Sequence, residues 1–473
     1  MAANMEMKDT KKYGKNHEKK ETFEKTVWKI ALPVTMQSLL QSSFSVVDQV
    51  MIGQLGSSSI AGIGLGGKFA SLYSVVLAAI AAAAGIMISQ YMGRKDAESA
   101  GRSFYTSMAL AVGLAAVFTG LCILFPEVIM AVYTKDEAAK ALAVKYIRIL
   151  AFSFLPMAVS SIVTTMLRCM EAAALPLYAG IFALVLNTGL NYLLIFGKWI
   201  FPEMGVEGAA LASAAAQMIS CLAVVLFFLI YGKRRGMKWN AGWHKKRKPD
   251  EKEAAAHGEY GKQYLGILAP LLICEFFWSL GENVYTAIYG NIGTDACAAM
   301  TMTIPVQTMV IGALSGLSQA SGILIGKSLG AEKYERAYEE SKKLMKYGFA
   351  ASILLSLALA VAAPFYVKIY NVEPAVQEIT KSLLTAFAVI APVKVLNMIL
   401  GGGILRSGGK TKYIMWIDIA GTWGLGVPLG LLAAFVWNLP IAYVYFILSL
   451  EECARLGISM LMFRKKTWME SIQ

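Results

Sequence analysis

Glycine and proline residues recur in the same register in two distant stretches of the chain. When the first stretch is shifted by 237 positions, it meets the second without a gap, and the aligned pairs are Pro33 and Pro270, Gly53 and Gly290, Gly56 and Gly293, Gly85 and Gly322, and Gly93 and Gly330. Because Gly and Pro mark helix ends and close backbone contacts, this register predicts matched helices and turns. The chain is therefore predicted to contain one structural unit twice.

Apolar residues fall in blocks of about twenty, the length of a helix that crosses a membrane. Hydrophobic residues make up 57% of the 473 residues, which is more than a soluble domain of this length can bury. Twelve spans are predicted, with centres near residues 40, 78, 113, 155, 186, 218, 275, 309, 356, 391, 424 and 450. A backbone exposed to lipid must satisfy its own hydrogen bonds, so the predicted fold class is an all-α integral membrane protein. A doubled membrane unit favours a transporter with its substrate site between the halves.

The chain has a net charge of +13, and the positions of its basic residues are typical of a membrane protein. Lys and Arg concentrate in the N-terminal tail, in a central connector and in alternate short loops, among them the predicted loops at Arg168 and Arg406. This positive-inside pattern predicts a multi-pass protein of the plasma (inner) membrane with both termini in the cytoplasm. The basic surface is expected to meet anionic membrane lipid, and no nucleic-acid partner is expected. Lys145 and Arg148, at the outer start of the fourth span, do not fit the pattern.

One long polar interruption, residues 232–262, is predicted to be a flexible cytoplasmic connector. It separates six spans from six, so the predicted domains are an N-terminal tail (1–27), a six-helix lobe (28–231), the connector, a second six-helix lobe (263–466) and a C-terminal tail (467–473). Both lobes begin on the same side, which predicts two pseudo-symmetric bundles related by an axis along the membrane normal. Residues 1–27 lack the apolar core of a signal peptide, so the first span is expected to serve as the targeting signal.

Carboxylate and amide side chains are the candidates for ion coupling inside the membrane. All three histidines lie in the tail or the connector, and the six cysteines show no metal-ligand spacing. Asp48 lies in the first span with no Lys or Arg within one helical turn, and Asn187 and Asn191 share one face of the fifth span. Together with the hydroxyl of Ser213, these groups are predicted to hold an exchangeable proton or Na⁺. The alternative is that the amides only hold helices together. No other cofactor or metal is predicted.

The second half carries different residues at the matching positions. Tyr285 aligns with Asp48, and carboxylates stand instead at Glu275 and Glu282, seven apart on one face of the seventh span. Aromatic rings beside a buried carboxylate suit an organic cation, although plain packing is the alternative. The predicted substrate-binding residues are Glu275, Trp278, Glu282, Tyr285 and Tyr289.

Two further charged pairs are predicted in the second half. Asp418 is either a proton site or the partner of Arg406, and the second interpretation is favoured. Glu451 and Arg455 are spaced i to i+4 and are predicted to form a structural ion pair.

Longer segments of the chain resemble a known family. The runs are PVTMQSLLQSSFSVVDQVMIGQLG, LRCMEAAALP, NTGLNYLLIFG, PLLICEFFWSLGENVYTAIYGNIG and GGGILRSGGKTKYIMWIDIAGTWGLGVPLG. They make the chain similar, from Trp28 to Lys466, to bacterial members of the multidrug and toxic compound extrusion (MATE) family. The resemblance implies two six-helix lobes around a V-shaped cavity, and efflux of cationic organic compounds in antiport with H⁺ or Na⁺. It also implies that Asp48 is the coupling aspartate, and that Asn187 and Glu275 are the family's fifth-span asparagine and seventh-span glutamate. Asn191 stands where some members carry a second aspartate.

Two other function classes stay open. A flippase for a lipid-linked saccharide, from the same wider superfamily, would share the doubled fold. Its cavity should carry Arg and Lys for pyrophosphate, whereas the spans offer mainly carboxylates and aromatics. A membrane enzyme is disfavoured because the spans hold no histidine, and the sequence contains no GxxxxGK[ST] loop for ATP. The favoured prediction is a monomeric transporter of small organic compounds, with the compound and the choice of H⁺ or Na⁺ left open.

Overall fold

The computed structural model describes residues 22–234, 251–369 and 372–472, and within them every regular element is helical. The helices of the first half are α1 (Phe23–Gly53), α2 (Ser57–Arg94), α3 (Ala97–Leu124), α4 (Pro126–Tyr133), α5 (Glu137–Leu150), α6 (Phe154–Cys169), α7 (Ala174–Ile195) and α8 (Gly205–Arg234). Those of the second half are α9 (Glu251–Ile292), α10 (Thr294–Gly330), α11 (Tyr334–Tyr366), α12 (Pro374–Asn397), α13 (Thr411–Ile419), α14 (Val427–Leu431), α15 (Ile441–Leu448) and α16 (Leu450–Arg464).

Short 3₁₀ and π segments join several of these helices. The 3₁₀ turns are Ala151–Ser153, Val367–Ile369 and Arg406–Gly408, and the π segments are Met398–Leu405, Ala420–Gly426 and Leu432–Val436. All three π segments lie in the second half, on the predicted tenth and eleventh spans. The doubled unit is therefore not identical in its backbone, because the second copy departs from regular α-helix where the first does not.

Eleven helical stretches within the described residues are long and apolar enough to cross a membrane. The twelfth predicted span, near residue 450, corresponds instead to α15 and α16, which meet at Ser449. Neither of these two helices reaches the length of a complete span by itself. The predicted all-helical membrane fold is confirmed, and its last crossing is a broken helix.

Lys145 and Arg148, the two cations that do not fit the charge pattern, each face a carboxylate. The predicted fourth span is α5 and α6 joined by a 3₁₀ turn, and both cations lie on α5. Lys145 Nζ lies 2.9 Å from Glu207, and Arg148 Nη2 lies 3.7 Å from Glu127. Each cation thus has a carboxylate of a neighbouring helix within ion-pairing distance.

The predicted connector is shorter than 232–262. Helix α8 runs to Arg234, and α9 begins at Glu251 and continues into the predicted seventh span. The helical part has the sequence EKEAAAHGEYGKQ, in which Glu, Ala, Lys and Gln favour helix even though the segment is polar. The predicted basic tail up to residue 21, and the basic run at 235–250, lie outside the described residues.

The 237-residue register has a direct structural counterpart where α2 and α10 cross. A methyl group at Gly93 would lie 2.1 Å from the backbone oxygen of Lys327, and one at Gly330 would lie 2.0 Å from that of Gln90. Gly93 aligns with Gly330 in the register, and Gln90 aligns with Lys327, so the two contacts are symmetric mates. Glycine is required here because any side chain would push the backbones apart. We call this four-residue crossing the seam.

The halves also meet along α1 and α10, through small and hydroxyl-bearing residues. Thr35 Oγ1 donates to the backbone oxygen of Ala313 at 3.1 Å, and the hydroxyls of Ser38 and Ser315 are 2.9 Å apart. A methyl group at Gly316 would lie 2.1 Å from the backbone oxygen of Ala31. Close backbone approach and interhelical hydrogen bonds replace the hydrophobic driving force that lipid does not supply.

Residues 466–472, here called the C-terminal segment, lie against the seam. Trp468 is completely buried and stacks on Phe463 with ring centroids 5.7 Å apart. Ile472 is also buried, and its backbone N–H donates to Gln90 Oε1 at 2.7 Å. The predicted tail at 467–473 is thus, up to residue 472, part of the packed structure.

The same segment contacts both halves of the molecule. In the first half, Arg94 donates to the backbone oxygen of Ile472. In the second half, Glu470 forms an ion pair with Lys410. Gln90 Nε2 donates to the backbone oxygen of Ser407 at 2.6 Å, so the two halves are also joined directly beside the segment.

Candidate functional site

A cavity of about 790 Å³ lies between the two halves. Small and polar residues make up most of its wall, and none of the described aromatic residues lines it. Its amide and charged residues come from both halves: Gln37, Gln41, Arg168, Asn187, Gln217, Glu275, Gln319 and Arg406. The predicted position of a site between the halves therefore has a physical counterpart. We call it the central cavity.

Three of the residues predicted to couple an ion lie together. Asn191 Nδ2 donates to Asp48 Oδ1 at 3.0 Å and to Asn187 Oδ1 at 3.3 Å. One amide group thus joins α1 to α7, and it brings the carboxylate of the first span to the shared face of the two asparagines. We call these three residues the ion cluster. Ser213, the fourth predicted member, lies on α8 and lines the central cavity.

The three residues of the ion cluster differ in how deeply they are buried. Asn191 is 2% exposed, Asp48 is half-buried, and Asn187 lines the central cavity. Asn191 Oδ1 is buried and has no hydrogen-bond partner among the described residues. One carboxylate and two amides meet here, and the oxygens of such groups bind hard cations and protons. Because a buried oxygen without a donor is costly, the cluster favours a small positive ligand.

In the second half, Glu275 and Asp418 share one arginine. Arg406 Nη1 lies 3.6 Å from Glu275, and Arg406 Nη2 lies 3.5 Å from Asp418. Cys274 adds its thiol, which lies 2.9 Å from Asp418 Oδ2. The predicted contact between Asp418 and Arg406 is present, and Glu275 is held by the same guanidinium, a contact the sequence did not predict.

Further ion pairs connect Asp418 to other residues of the second half. Arg455 Nε donates to Asp418 Oδ1 at 3.1 Å, and Arg455 Nη1 lies 3.6 Å from Glu452. Glu452 in turn lies 3.9 Å from Lys394. With Glu275 and Arg406, these residues form a network of three carboxylates and three cations, which we call the charge network.

The predicted ion pair of Glu451 with Arg455 is not formed. All three nitrogens of the Arg455 guanidinium face Asp418 and Glu452 instead. Glu451 is buried, and its Oε2 has no hydrogen-bond partner in the described part of the chain. The prediction rested on i,i+4 spacing alone, and it failed because a carboxylate from α13 competes for the same arginine.

The aromatic residues predicted to surround a substrate lie elsewhere. Tyr285 and Tyr289 are buried in an apolar cluster of the second half, and Trp278 is 48% exposed. Glu282 is exposed and does not line the central cavity. Of the five predicted substrate-binding residues, Glu275 is the one on the cavity wall. The other four follow it along α9 and do not line the cavity.

Arg168 is a cavity residue that the sequence analysis assigned to a loop. Its Nη2 donates to Gln37 Oε1 at 2.9 Å, and its Nη1 donates to Gln319 of the other half. A signal for it was present, because a Leu-Arg pair occurs at 167–168 and again at 405–406, near the register of the repeat. Both arginines of these pairs line the central cavity.

Comparison with known families gives two matches within the chain. The sequence model of the MatE family matches residues 33–193 and residues 270–432. The two matches begin at Pro33 and Pro270, the residues that open the 237-residue register. The repeat inferred from glycine and proline is thus found independently.

Curated relatives and solved structures match over nearly the whole chain. "Uncharacterized transporter YisQ" from Bacillus subtilis (strain 168) is 20% identical, over 94% of this chain and 95% of the relative. "Probable multidrug resistance protein NorM" from Thermotoga maritima is 23% identical, over 94% and 93%. A solved structure described as the outward-facing conformation of a multidrug resistance MATE family transporter superposes with a TM-score of 0.82, at 17% identity, over 93% of this chain and 95% of that one.

Proposed function

The chain belongs to the MatE family, and on this premise we propose that it is a secondary active multidrug efflux transporter of the plasma membrane. Multidrug resistance relatives that match over most of the chain support this function, as does a polar cavity lined by both halves. The proposed driving force is an inward gradient of H⁺ or Na⁺, and the proposed substrates are small organic compounds. Membrane transport, and not enzyme chemistry, is the activity that the family supports. We further propose a monomer with both termini in the cytoplasm.

The observation that carries the proposal is the position of the ion cluster beside the central cavity. Asn191 joins Asp48 to Asn187, and Asn187 is part of the cavity wall. Protonation of Asp48, or binding of Na⁺, makes its carboxyl group a weaker acceptor for Asn191 and so changes the balance with the hydrogen bond from Asn191 to Asn187. In the proposed cycle this event repacks the first half around the cavity.

Glu275 is the proposed residue that holds a positive group of the substrate. It lies on the cavity wall, and its carboxylate already forms an ion pair with Arg406 Nη1, which lies 3.6 Å away. A cationic substrate therefore competes with Arg406 and does not meet a bare carboxylate. Ion binding in one half and substrate binding in the other then lower each other's affinity, which makes the exchange obligatory.

The flippase alternative is less well supported. A pyrophosphate group needs several uncompensated cations, and the cavity wall has two arginines. Arg406 is neutralised by Glu275 and Asp418, which leaves Arg168. One uncompensated cation suits a singly charged group better than a pyrophosphate.

The coupling role is tested with purified protein in liposomes that contain a fluorescent dye. Dye movement is measured under a pH gradient and, separately, under a sodium gradient, for the wild type and for Asp48→Asn. The wild type is expected to respond to one gradient, and Asp48→Asn is expected to lose about tenfold or more of that response. The asparagine retains the shape and a hydrogen bond to Asn191, but it carries no charge to bind the ion.

Asp136→Asn is the matched control. Asp136 caps the start of α5, where its side chain accepts from the backbone of Ala138 at 3.0 Å, and asparagine caps a helix equally well. The control should transport like the wild type. Gradient-driven transport by Asp48→Asn at the wild-type rate would refute the coupling role.

A further inference from the structure

We propose that Arg168 forms a subsite in the central cavity for an anionic group of the substrate, so that the preferred substrates carry a carboxylate or a similar single negative charge. This inference rests on the proposed transport function and specifies its substrate class. With Glu275 on the same wall, the cavity then suits zwitterionic organic compounds better than simple organic cations. Three properties support the subsite: the partners of Arg168, the charge of the cavity and the geometry of guanidinium.

Neutral amides are the hydrogen-bond partners of Arg168. Gln37 Oε1 accepts at 2.9 Å, Gln319 Oε1 accepts from the other nitrogen of the fork, and Nε is buried without a partner among the described residues. Across the described part of the chain, no carboxylate lies within ion-pairing distance of this guanidinium. Glu171, three residues further on, is paired with Lys327. A cation placed inside a membrane protein usually has an anionic partner, and the described residues do not supply one for Arg168.

The charges on the cavity wall do not cancel. Its charged side chains are Arg168, Arg406 and Glu275. Arg406 and Glu275 pair with each other, and the charge network to which they belong contains equal numbers of carboxylates and cations. The excess positive charge therefore belongs to Arg168, and an anionic substrate group would balance it.

A guanidinium also has the right shape for this ligand. Its planar fork of N–H donors matches the two oxygens of a carboxylate, and charge-assisted hydrogen bonds are about twice as strong as neutral ones. A carboxylate would replace the Gln319 oxygen as acceptor. Since Gln319 belongs to the second half and Arg168 to the first, occupation of the subsite would also exchange a contact between the halves for a contact with the substrate.

The test compares rhodamine B, which carries both a cationic ring system and a free carboxylate, with its ethyl ester, which keeps only the cation. Binding of each dye to the purified wild type in neutral-lipid nanodiscs is measured by fluorescence anisotropy. The free acid is expected to bind about tenfold tighter than the ester. In Arg168→Gln this preference should disappear through weaker binding of the acid, with the ester within about twofold of its wild-type affinity.

Arg148→Gln is the matched control, since it removes a half-exposed arginine outside the cavity and should leave the preference intact. Equal wild-type affinity for acid and ester, or binding of neither, would overturn the inference even if Arg168→Gln did not fold. The same holds if phosphatidylglycerol in the nanodisc displaces the acid from the wild type, because the anion at Arg168 would then be a lipid headgroup. Gradient-driven transport of the two dyes by the wild type is measured separately. If neither dye is transported, the result counts against the proposed function, whereas the difference in affinity between acid and ester tests the subsite.

Discussion

Single glycines at the seam decide how closely the two halves approach. We predict that Gly330→Ala destabilises the protein, because its methyl group would lie 2.0 Å from the backbone oxygen of Gln90. A backbone oxygen does not move aside as a side chain does, so the helices must separate. Overpacking of this kind costs about 1–3 kcal/mol. The measurement is the midpoint of thermal unfolding in detergent, which should fall.

A glycine of α2 away from the seam provides the control. A methyl group at Gly64 would have no neighbouring atom of the described residues within 4 Å, so Gly64→Ala meets no obstacle. Alanine is also the better helix former, by about 0.5–1 kcal/mol. The midpoint of Gly64→Ala should therefore stay the same or rise. A fall of equal size in both variants would mean that the close contact at Gly330 is not the cause.

At the residue scale, the sequence predicted the ion cluster better than the cavity wall. The spacing of Asn187 and Asn191 placed them on one face, and Asp48 was the one carboxylate of the first span that these amides could partner, so few candidates had to be considered. Arg168 and Arg406 were assigned to loops because positive charge near a span end is usually solvated. Their true neighbours, Gln319 and Glu275, lie on other spans, and no local rule reports such contacts.

The C-terminal segment behaves as an element of the fold although it is not a helix. We predict that Trp468→Ala releases it from the seam. Trp468 is completely buried, and truncation of a buried aromatic costs about 3–5 kcal/mol. The measurement is hydrogen exchange of the Ile472 amide, which donates to Gln90 in the intact protein. Exchange should accelerate on the order of a hundredfold.

Glu470→Gln tests whether charge holds the segment instead of packing. The Glu470 side chain is 60% exposed in its pair with Lys410, and exposed pairs contribute about 0–1 kcal/mol. Exchange at Ile472 should change little in this variant. Equal acceleration in Glu470→Gln and Trp468→Ala would show that burial of the indole does not anchor the segment.

At the element scale, hydropathy was sufficient for eleven spans and insufficient where a helix is interrupted or polar. Hydropathy averaged along the sequence does not detect the break at Ser449, because α15 and the start of α16 together resemble one span in composition. The start of α9 at Glu251 was missed for the opposite reason, since a polar helix outside the membrane resembles a loop in hydropathy. The C-terminal segment was predicted to be a tail because seven residues carry no periodic signal.

At the scale of the whole molecule, the repeat explains why the backbone contact between the halves is symmetric, and divergence explains why the side chains around the cavity are not. The seam obeys the 237-residue register, so the same backbone contact is made twice about one axis. The side chains around the cavity do not obey it, since Asp48 is replaced by Tyr285 and the charge network has no counterpart among the described residues of the first half. Duplication therefore supplies two similar bodies that meet at a symmetric contact, and divergence makes the two bodies chemically different.

In one form of alternating access, the two halves move as rigid bodies and would separate at the seam in one stage of the proposed cycle. Ser89 and Gly326 face each other next to the seam, one position before Gln90 and Lys327, and we predict that a disulfide between them stops transport. A Cβ at Gly326 would lie 3.2 Å from the Cβ of Ser89, close to the roughly 3.5–4.5 Å between the Cβ atoms of a disulfide. The double variant Ser89→Cys with Gly326→Cys should lose gradient-driven dye transport under oxidising conditions and recover it with a reductant.

The two single variants control for the native cysteines, three of which are buried and none of which is paired within the described ranges. Each single variant should transport equally with and without oxidant. If the cross-linked double variant still transports at the rate of its reduced form, the seam stays closed throughout the cycle. The moving parts would then lie within each half, and α2 and α10 would be a fixed hinge around which the first half repacks when the ion cluster fills.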